Sequence, residues 1–251
     1  MKIDTFEELT SHAENADFTG WDVSYLTGRW AESFVSWDYR QIVTEHLHLA
    51  SSLLDMGTGG GEFLASLNPL PRKVCATEAY EPNVAIAKDR LNPLGVVVFA
   101  VEHDEELPFP EETFDLIINR HESFVPYEVA RILRHGGMFI TQQVGGQDNI
   151  TLNRMLQYNV VQGYSDWSLS KAAEQLRQVG FTISREEEEY PDIHFLDVGA
   201  VIYYLKVIRW QIPDFSVQEY QNPLRRIDDH IRQHGRLTVQ SHRFLVVAEK
   251  P

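Results

Sequence analysis

The chain is 251 residues long and 43% of it is apolar, so it can bury a sizeable core, which argues against wholesale disorder. Its 22 basic residues stand against 37 acidic ones, for a net charge of −15, and no dense Lys/Arg run breaks that balance. Binding to a phosphate backbone draws on such residues, so nucleic acid is a disfavoured partner.

In chain order, the opening MKIDTFEELT carries three acids and no apolar stretch, so no secretory signal is expected. Thr5 with Glu8 forms a capping-box pattern and predicts a helix starting there. A second helix is expected from about Asp38 to Leu49, leading into a strand at 52–56. KVCATE (73–78) reads as a strand and EPNVAIAKDRL (81–91) as a helix with Pro82 in its first turn. The single cysteine, Cys75, excludes an internal disulfide, suits a reducing cytoplasm and reads as a core residue. Strands follow at 96–103, 114–120 and 137–144, with a helix over 126–134 that stops at Gly136-Gly137. A helix over 168–180 precedes the strand TISREEEE (182–189), whose glutamates read as a solvated edge. The run VGAVIYYLKVI (198–208) is apolar nearly all round, so that helix should be buried. It is too short for the ~20 residues a membrane span needs and contains Lys206. In 217–234, Tyr220, Leu224, Ile227 and Ile231 recur at helical spacing, and 242–250 closes the chain as a strand.

Nearly continuous apolar strands alternating with helices predict an α/β fold. The expected architecture is a doubly wound, seven-stranded, mostly parallel sheet with its last strand antiparallel. A helical N-terminal cap is expected over 1–36, the core over 37–195, a helical lid inserted between the last two strands over 196–236, and the final strand over 237–251.

The stretch LLDMGTGGGEFL (53–64) holds four glycines in five positions after the first core strand. In an open parallel sheet, ligands bind beyond the strands' carboxyl ends, and glycine lets a ligand approach backbone that a Cβ would shield. Gly57, Gly59 and Gly61 give G-x-G-x-G. A dinucleotide fingerprint is G-x-G-x-x-G, and Glu62 stands where its third glycine would be. A carboxylate there disfavours NAD.

An acid-preceded G-x-G-x-G after a first strand resembles the S-adenosylmethionine-binding loop of class I methyltransferases. HDEELPFPEETFDLIINR (103–120) resembles that family's segment after strand three, and RILRHGG (131–137) its turn before strand five. Together these cover about residues 50–145 in the right order. The resemblance implies that Asp55 and the three glycines face the cofactor and that Glu78 accepts from its ribose hydroxyls. It implies that Asp104, or His103 in a shifted register, receives the adenine amino group. Asn119, at the end of strand four, joins the same set. In WDYR (37–40), Trp37 and Tyr39 pack the N-terminal segment onto the domain, or Tyr39 or Arg40 meets the cofactor's methionine carboxylate, which suits a guanidinium fork.

His121 follows strand four, where the methyl group should lie, and is the one candidate for a catalytic base. Many methyltransferases need none, since alignment with the sulfonium supplies much of the rate. The resemblance therefore implies a cytoplasmic enzyme that moves a methyl group from S-adenosylmethionine to O, N or C of a small molecule. A nucleic-acid methyltransferase and a non-catalytic S-adenosylmethionine-binding protein are the alternatives. The replacement of N-P-P-Y by NRHE after strand four counts against a nucleic-acid base as acceptor. No metal signature such as C-x-x-C or H-E-x-x-H is present. The acceptor pocket is expected under a roof made by Trp21, Tyr25, Trp30 and Trp37 together with the 196–236 insertion, including Tyr203, Tyr204 and Trp210.

Overall fold

A computed structural model describes residues 4–18, 23–158 and 165–251. Trp21 lies outside them. In chain order the strands are β1 (Trp30–Glu32), β2 (Ser52–Met56), β3 (Lys73–Glu78), β4 (Val97–Ala100), β5 (Phe114–Arg120), β6 (Leu133–Val144), β7 (Thr182–Glu189), β8 (Asp192–Phe195), β9 (Leu237–Gln240) and β10 (Arg243–Glu249). The helices are α1 (Phe6–Asn15), α2 (Tyr39–Leu47), α3 (Glu62–Ala65), α4 (Glu81–Leu91), α5 (Pro126–Ile132), α6 (Ile150–Met155), α7 (Leu169–Gln178), α8 (Val198–Val207) and α9 (Gln221–His234). They belong to two compact units, each made of three segments of the chain.

The larger unit comprises Ser36–Gly145, Trp167–Glu189 and Arg243–Pro251. Its seven strands lie in the order β4-β3-β2-β5-β6-β10-β7, and β10 runs antiparallel to both β6 and β7. The expected sheet is therefore present. Leu53, Leu54, Leu116, Ile117 and Ile118 are buried, as strands covered on both faces require. Cys75 is a buried free thiol in β3. The order reverses between β2 and β5, and this is where an open α/β sheet splays its connections and leaves a crevice. Helix starts follow local chemistry: the Asp38 carboxylate accepts from the Gln41 N–H at α2, and the Ser168 hydroxyl from the Lys171 N–H at α7. Glu186–Glu189 lie in β7, the outermost strand on one side, where charge blocks pairing with a foreign strand.

One boundary differs from expectation. β6 already begins at Leu133 and carries both glycines, with a register shift against β5 between Leu133 and Met138. Gly136 has φ +73° and its N–H donates to Lys250 O, while Lys250 N–H donates to Gly137 O, so pairing with the chain's end continues through the glycines.

The smaller unit comprises Met1–Val35, Gly146–Asp166 and Tyr190–His242. It has its own antiparallel sheet, β1-β8-β9, and its own core, to which Phe6, Phe195, Ile202, Leu224 and Ile227 contribute. Both halves of the Thr5/Glu8 capping box form at α1. Nine of the ten residues of α8 are buried, as its composition requires. The stretch 196–236 belongs to this unit. Its helices share a core with the N-terminal segment, and β8 and β9, on either side of it, belong to this unit too. Among the described residues no helix is long and apolar enough to cross a membrane.

Candidate active site

Beyond Met56 the backbone turns off β2 through alternate left-handed positions, with φ +68° at Gly57, +61° at Gly59 and +81° at Gly61. L-residues rarely adopt these angles, which accounts for the glycines at this spacing. Space decides the matter a second time at Gly57: a Cβ there would lie 2.3 Å from Glu122 Cγ.

Two acids hold this turn from neighbouring strand ends. Asp55, buried in β2, accepts from Thr58 Oγ1 at 2.7 Å. Glu78, the last residue of β3, accepts from the Gly59 N–H at 2.7 Å and from the Tyr80 N–H at 2.8 Å. Burial pushes the Asp55 carboxyl up to about 7; the Thr58 hydrogen bond opposes that rise and the charge of Glu78 adds to it. Burial likewise raises Glu78, against the pull of its backbone donors. A cationic group placed beside this pair would relieve the cost of ionising it.

Asp104, in the loop after β4, is partly buried and accepts from the hydroxyl of Ser123 beyond β5, whereas His103 is exposed. The geometry joins Asp104, not His103, to the β5 tip. Burial raises Asp104, and Glu122 is raised by burial and by the nearby charges of Asp104 and Glu78.

Asn119 is completely buried. Its Oδ1 accepts from Thr141 Oγ1 at 2.7 Å and from Gln143 Nε2 at 2.6 Å, and its Nδ2 donates to Ser123 O at 3.3 Å. These bonds make it a brace between the tips of β5 and β6. Tyr39 is buried too and its hydroxyl donates to Asn119 O at 3.1 Å; burial raises its pKa. Arg40 is exposed, and its guanidinium donates to Ser66 O. The Arg40 guanidinium also lies 5.2 Å from the Phe63 ring centre, and a second cation shares that ring. The Arg120 guanidinium sits 5.7 Å from the Phe63 ring centre and 6.0 Å from that of Tyr39, and its charge bears on Asp55. Phe63 is two residues past Gly61, so a guanidinium fork here faces the turn from the β5 tip.

His121 has φ +60°, a left-handed backbone that His tolerates better than most residues. Its N–H donates to Gln142 O at 2.8 Å, and its Nε2 lies 2.9 Å from Gln142 Nε2. Surrounding protein and the charges of Arg243 and Arg120 push its pKa down from the ordinary histidine value. The residue is exposed to solvent on its outer side. The ring is neutral at pH 7.

Two adjacent buried glutamines carry this arrangement. Trp37 Nε1 donates to Gln142 Oε1 at 2.8 Å, and Trp167 Nε1 to Gln143 Oε1 at 3.3 Å. An indole N–H only donates, so both amides must turn their NH2 groups toward the β5 tip. Gln143 Nε2 there reaches Glu122 O at 2.8 Å as well as Asn119. Sequence reasoning singled out none of Arg120, Glu122, Gln142 and Gln143. A signal existed in TQQ (141–143), a polar run ending an otherwise apolar strand. Among the described residues, no group of three His, Cys, Asp or Glu side chains could hold a metal ion.

The glycine turn and the strand tips around it coincide with a known domain. Residues 54–141 match the family model described as a methyltransferase domain. This segment matches a methyltransferase domain. The chain is 29% identical over 108 residues to the uncharacterized methyltransferase YcgJ of Bacillus subtilis (strain 168), covering 39% of this chain and 43% of that one. The match thus spans less than half of that relative's length. The solved structure of YcgJ is similar with a TM-score of 0.58 and 18% identity, over 84% of this chain and 97% of that chain. The [4+2]-cyclase SpnF is similar with a TM-score of 0.55 and 18% identity, over 97% and 93%. At such identities the likeness is one of fold. The methyltransferase domain begins in β2 and ends within β6, so it contains Asp55, the glycine turn, Glu78 and the β5 tip, but not Gln142, Gln143 or Tyr39.

Proposed function

We propose that the protein transfers a methyl group from S-adenosylmethionine to a small molecule in the cytoplasm. The observation that carries this reading is the left-handed glycine turn held between two buried acids at adjacent strand ends. The residues fit the cofactor: Glu78 suits a ribose diol, Asp104 an adenine amino group, and Asp55 with Glu122 a cationic amino-acid end. Arg120, whose charge bears on Asp55, suits the methionine carboxylate, and Arg40 over Phe63 is the other candidate. Bound there, S-adenosylmethionine would supply a methyl group made electrophilic by its sulfonium. The contribution of the chain is to align donor and acceptor, which is the main demand of such a reaction. A net charge of −15 and four acids around the site favour a small acceptor over a polyanion.

Calorimetry with S-adenosylmethionine, S-adenosylhomocysteine and NAD tests the cofactor. Both adenosyl ligands should bind and NAD should not, and Gly59→Val should abolish binding while the chain stays folded. NAD binding alone would move the assignment to an oxidoreductase. Transfer is read as S-adenosylhomocysteine formed across a panel of small acceptors; strongly salt-dependent RNA binding would instead support a nucleic-acid acceptor. The fold shared with a protein named as a cyclase supports a second reading, in which the cofactor is held but no methyl moves. Adenosyl binding with no S-adenosylhomocysteine produced would favour it.

A further inference from the structure

The Trp37, Gln142 and His121 side chains form a chain of contacts whose hydrogen positions are not free. Trp37 Nε1 carries a proton and has no acceptor capacity, so the Gln142 atom 2.8 Å away is the amide oxygen. The other end of that amide is therefore NH2, and it lies 2.9 Å from His121 Nε2. An NH2 group donates and cannot accept, so His121 Nε2 must present its lone pair. A neutral imidazole has one lone pair and one N–H; with the lone pair at Nε2, the proton is on Nδ1. The alternative tautomer would set two donors against each other and leave the buried Gln142 amide without an acceptor there. The backbone fixes the same pair independently, through His121 N–H to Gln142 O at 2.8 Å and the alignment of Arg120 with Gln142 across β5 and β6.

We propose that Trp37 and Gln142 are positioning residues that hold His121 as a neutral imidazole protonated on Nδ1, so that it meets the methyl acceptor as a hydrogen-bond donor and not as a base. This rests on the methyl-transfer reading and deepens it. The lone pair that would take a proton is filled by Gln142, and His121 keeps its own proton through the reaction. The charged groups around the ring are Arg243 from β10, Arg120 before it and Glu122 after it; the two arginines oppose an imidazolium. The acceptor class that suits such a residue is a nucleophile that arrives with its lone pair available and a neighbouring oxygen or nitrogen able to accept from Nδ1–H.

The tautomer is measured on the full 15N-labelled chain by long-range 1H–15N correlation of the imidazoles, with His121→Asn assigning the signal. The expected spectrum shows His121 protonated on Nδ1 and not titrating between pH 6 and 8. Gln142→Leu should release the ring, giving mixed tautomers and a titration moved toward the ordinary histidine value, about 6.5. Trp37→Phe should move it part of the way, because the Gln142 amide then loses the donor that orients it. An Nε2–H tautomer in the wild type, ordinary titration, or a signal unchanged in both variants overturns the proposal. These spectra need neither cofactor nor acceptor, so they stand or fall separately from the methyl-transfer reading. If Gln142→Leu fails to fold, the wild-type spectrum and Trp37→Phe decide. For the role in transfer, Asn tolerates the left-handed backbone and keeps an N–H donor but has no basic nitrogen. His121→Asn should therefore retain turnover to within about 10-fold, and His121→Ala should lose more. Equal losses of about 100-fold or greater in both, the scale of a missing general base, would overturn the donor role.

Discussion

Gly57 combines a left-handed backbone with a neighbour pressed against it, and the two constraints separate by mutation. Ala at this position meets φ +68° and places its Cβ 2.3 Å from Glu122 Cγ and 2.5 Å from Glu122 Cβ. Gly57→Ala should cost about 1–2 kcal/mol in urea unfolding and sharply weaken S-adenosylhomocysteine binding. Adding Glu122→Gly, which removes both atoms, should recover the steric part of the stability loss and leave the backbone part. Simple additivity of the two losses would show that the side chains do not collide. Asp55 makes a prediction about pH. Its carboxyl stands at about 7 in the folded chain against an ordinary 3.8, so the folded state holds the proton more tightly than the unfolded one. Between those values the unfolded chain binds fewer protons, and stability from this group falls as pH rises from about 4 to about 7. Glu78 is shifted in the same direction and adds to the trend. Asp55→Asn should flatten it, by an amount on the order of 1–3 kcal/mol over that window, as read by denaturant midpoints at pH 4.5 and 7.5.

At the scale of elements, helix α8 shows how one carboxylate serves two purposes. Asp197 caps the helix through the Ala200 N–H at 2.9 Å and takes Arg29 side-on, Nε at 2.8 Å and Nη2 at 2.6 Å. Arg29 in turn lies 4.3 Å over the Tyr25 ring, and Tyr25 stacks on Tyr203 of α8 at 4.4 Å. Asn is as good a helix cap as Asp but carries no charge for the guanidinium. Asp197→Asn should therefore lose only the ion-pair share, and Asp197→Ala about 1–3 kcal/mol because the cap goes too. Thermal unfolding of the two variants side by side measures the difference; equal losses would mean that the cap contributes nothing.

At the scale of the whole molecule, each unit has a core of its own, so unfolding need not be a single transition. The proposed cofactor residues all lie in the larger unit. A ligand that binds only the folded form stabilises it by about 2.7 kcal/mol at a hundred times its Kd. S-adenosylhomocysteine should therefore raise the unfolding midpoint reported by Trp37 and Trp167, which resonances of incorporated fluorotryptophan can follow individually. No shift at either residue would mean that the ligand does not engage this unit.

What was legible in the sequence is what local chemistry decides. Strand β2, the capped start of α1 and the continuous burial of α8 follow from apolar runs, a Thr-x-x-Glu pair and an absence of polar faces. The glycine spacing and the acids before and after it marked the candidate site because left-handed backbone and buried carboxylates leave a signature in residue type. Other features depend on contacts between residues far apart in the chain. The second core draws on three separated segments, none of which declares its partners, so β8 and β9 went unread as strands and fell within the bounds expected for the larger core. Gly136-Gly137 read as a turn until pairing with Lys250 drew them into β6. The orientation of His121 was out of reach for the same reason. Trp37 stands 105 positions from Gln142 in the chain, and Gln142 21 positions from His121. Which nitrogen of a histidine carries the proton is set by whichever group folding brings beside it.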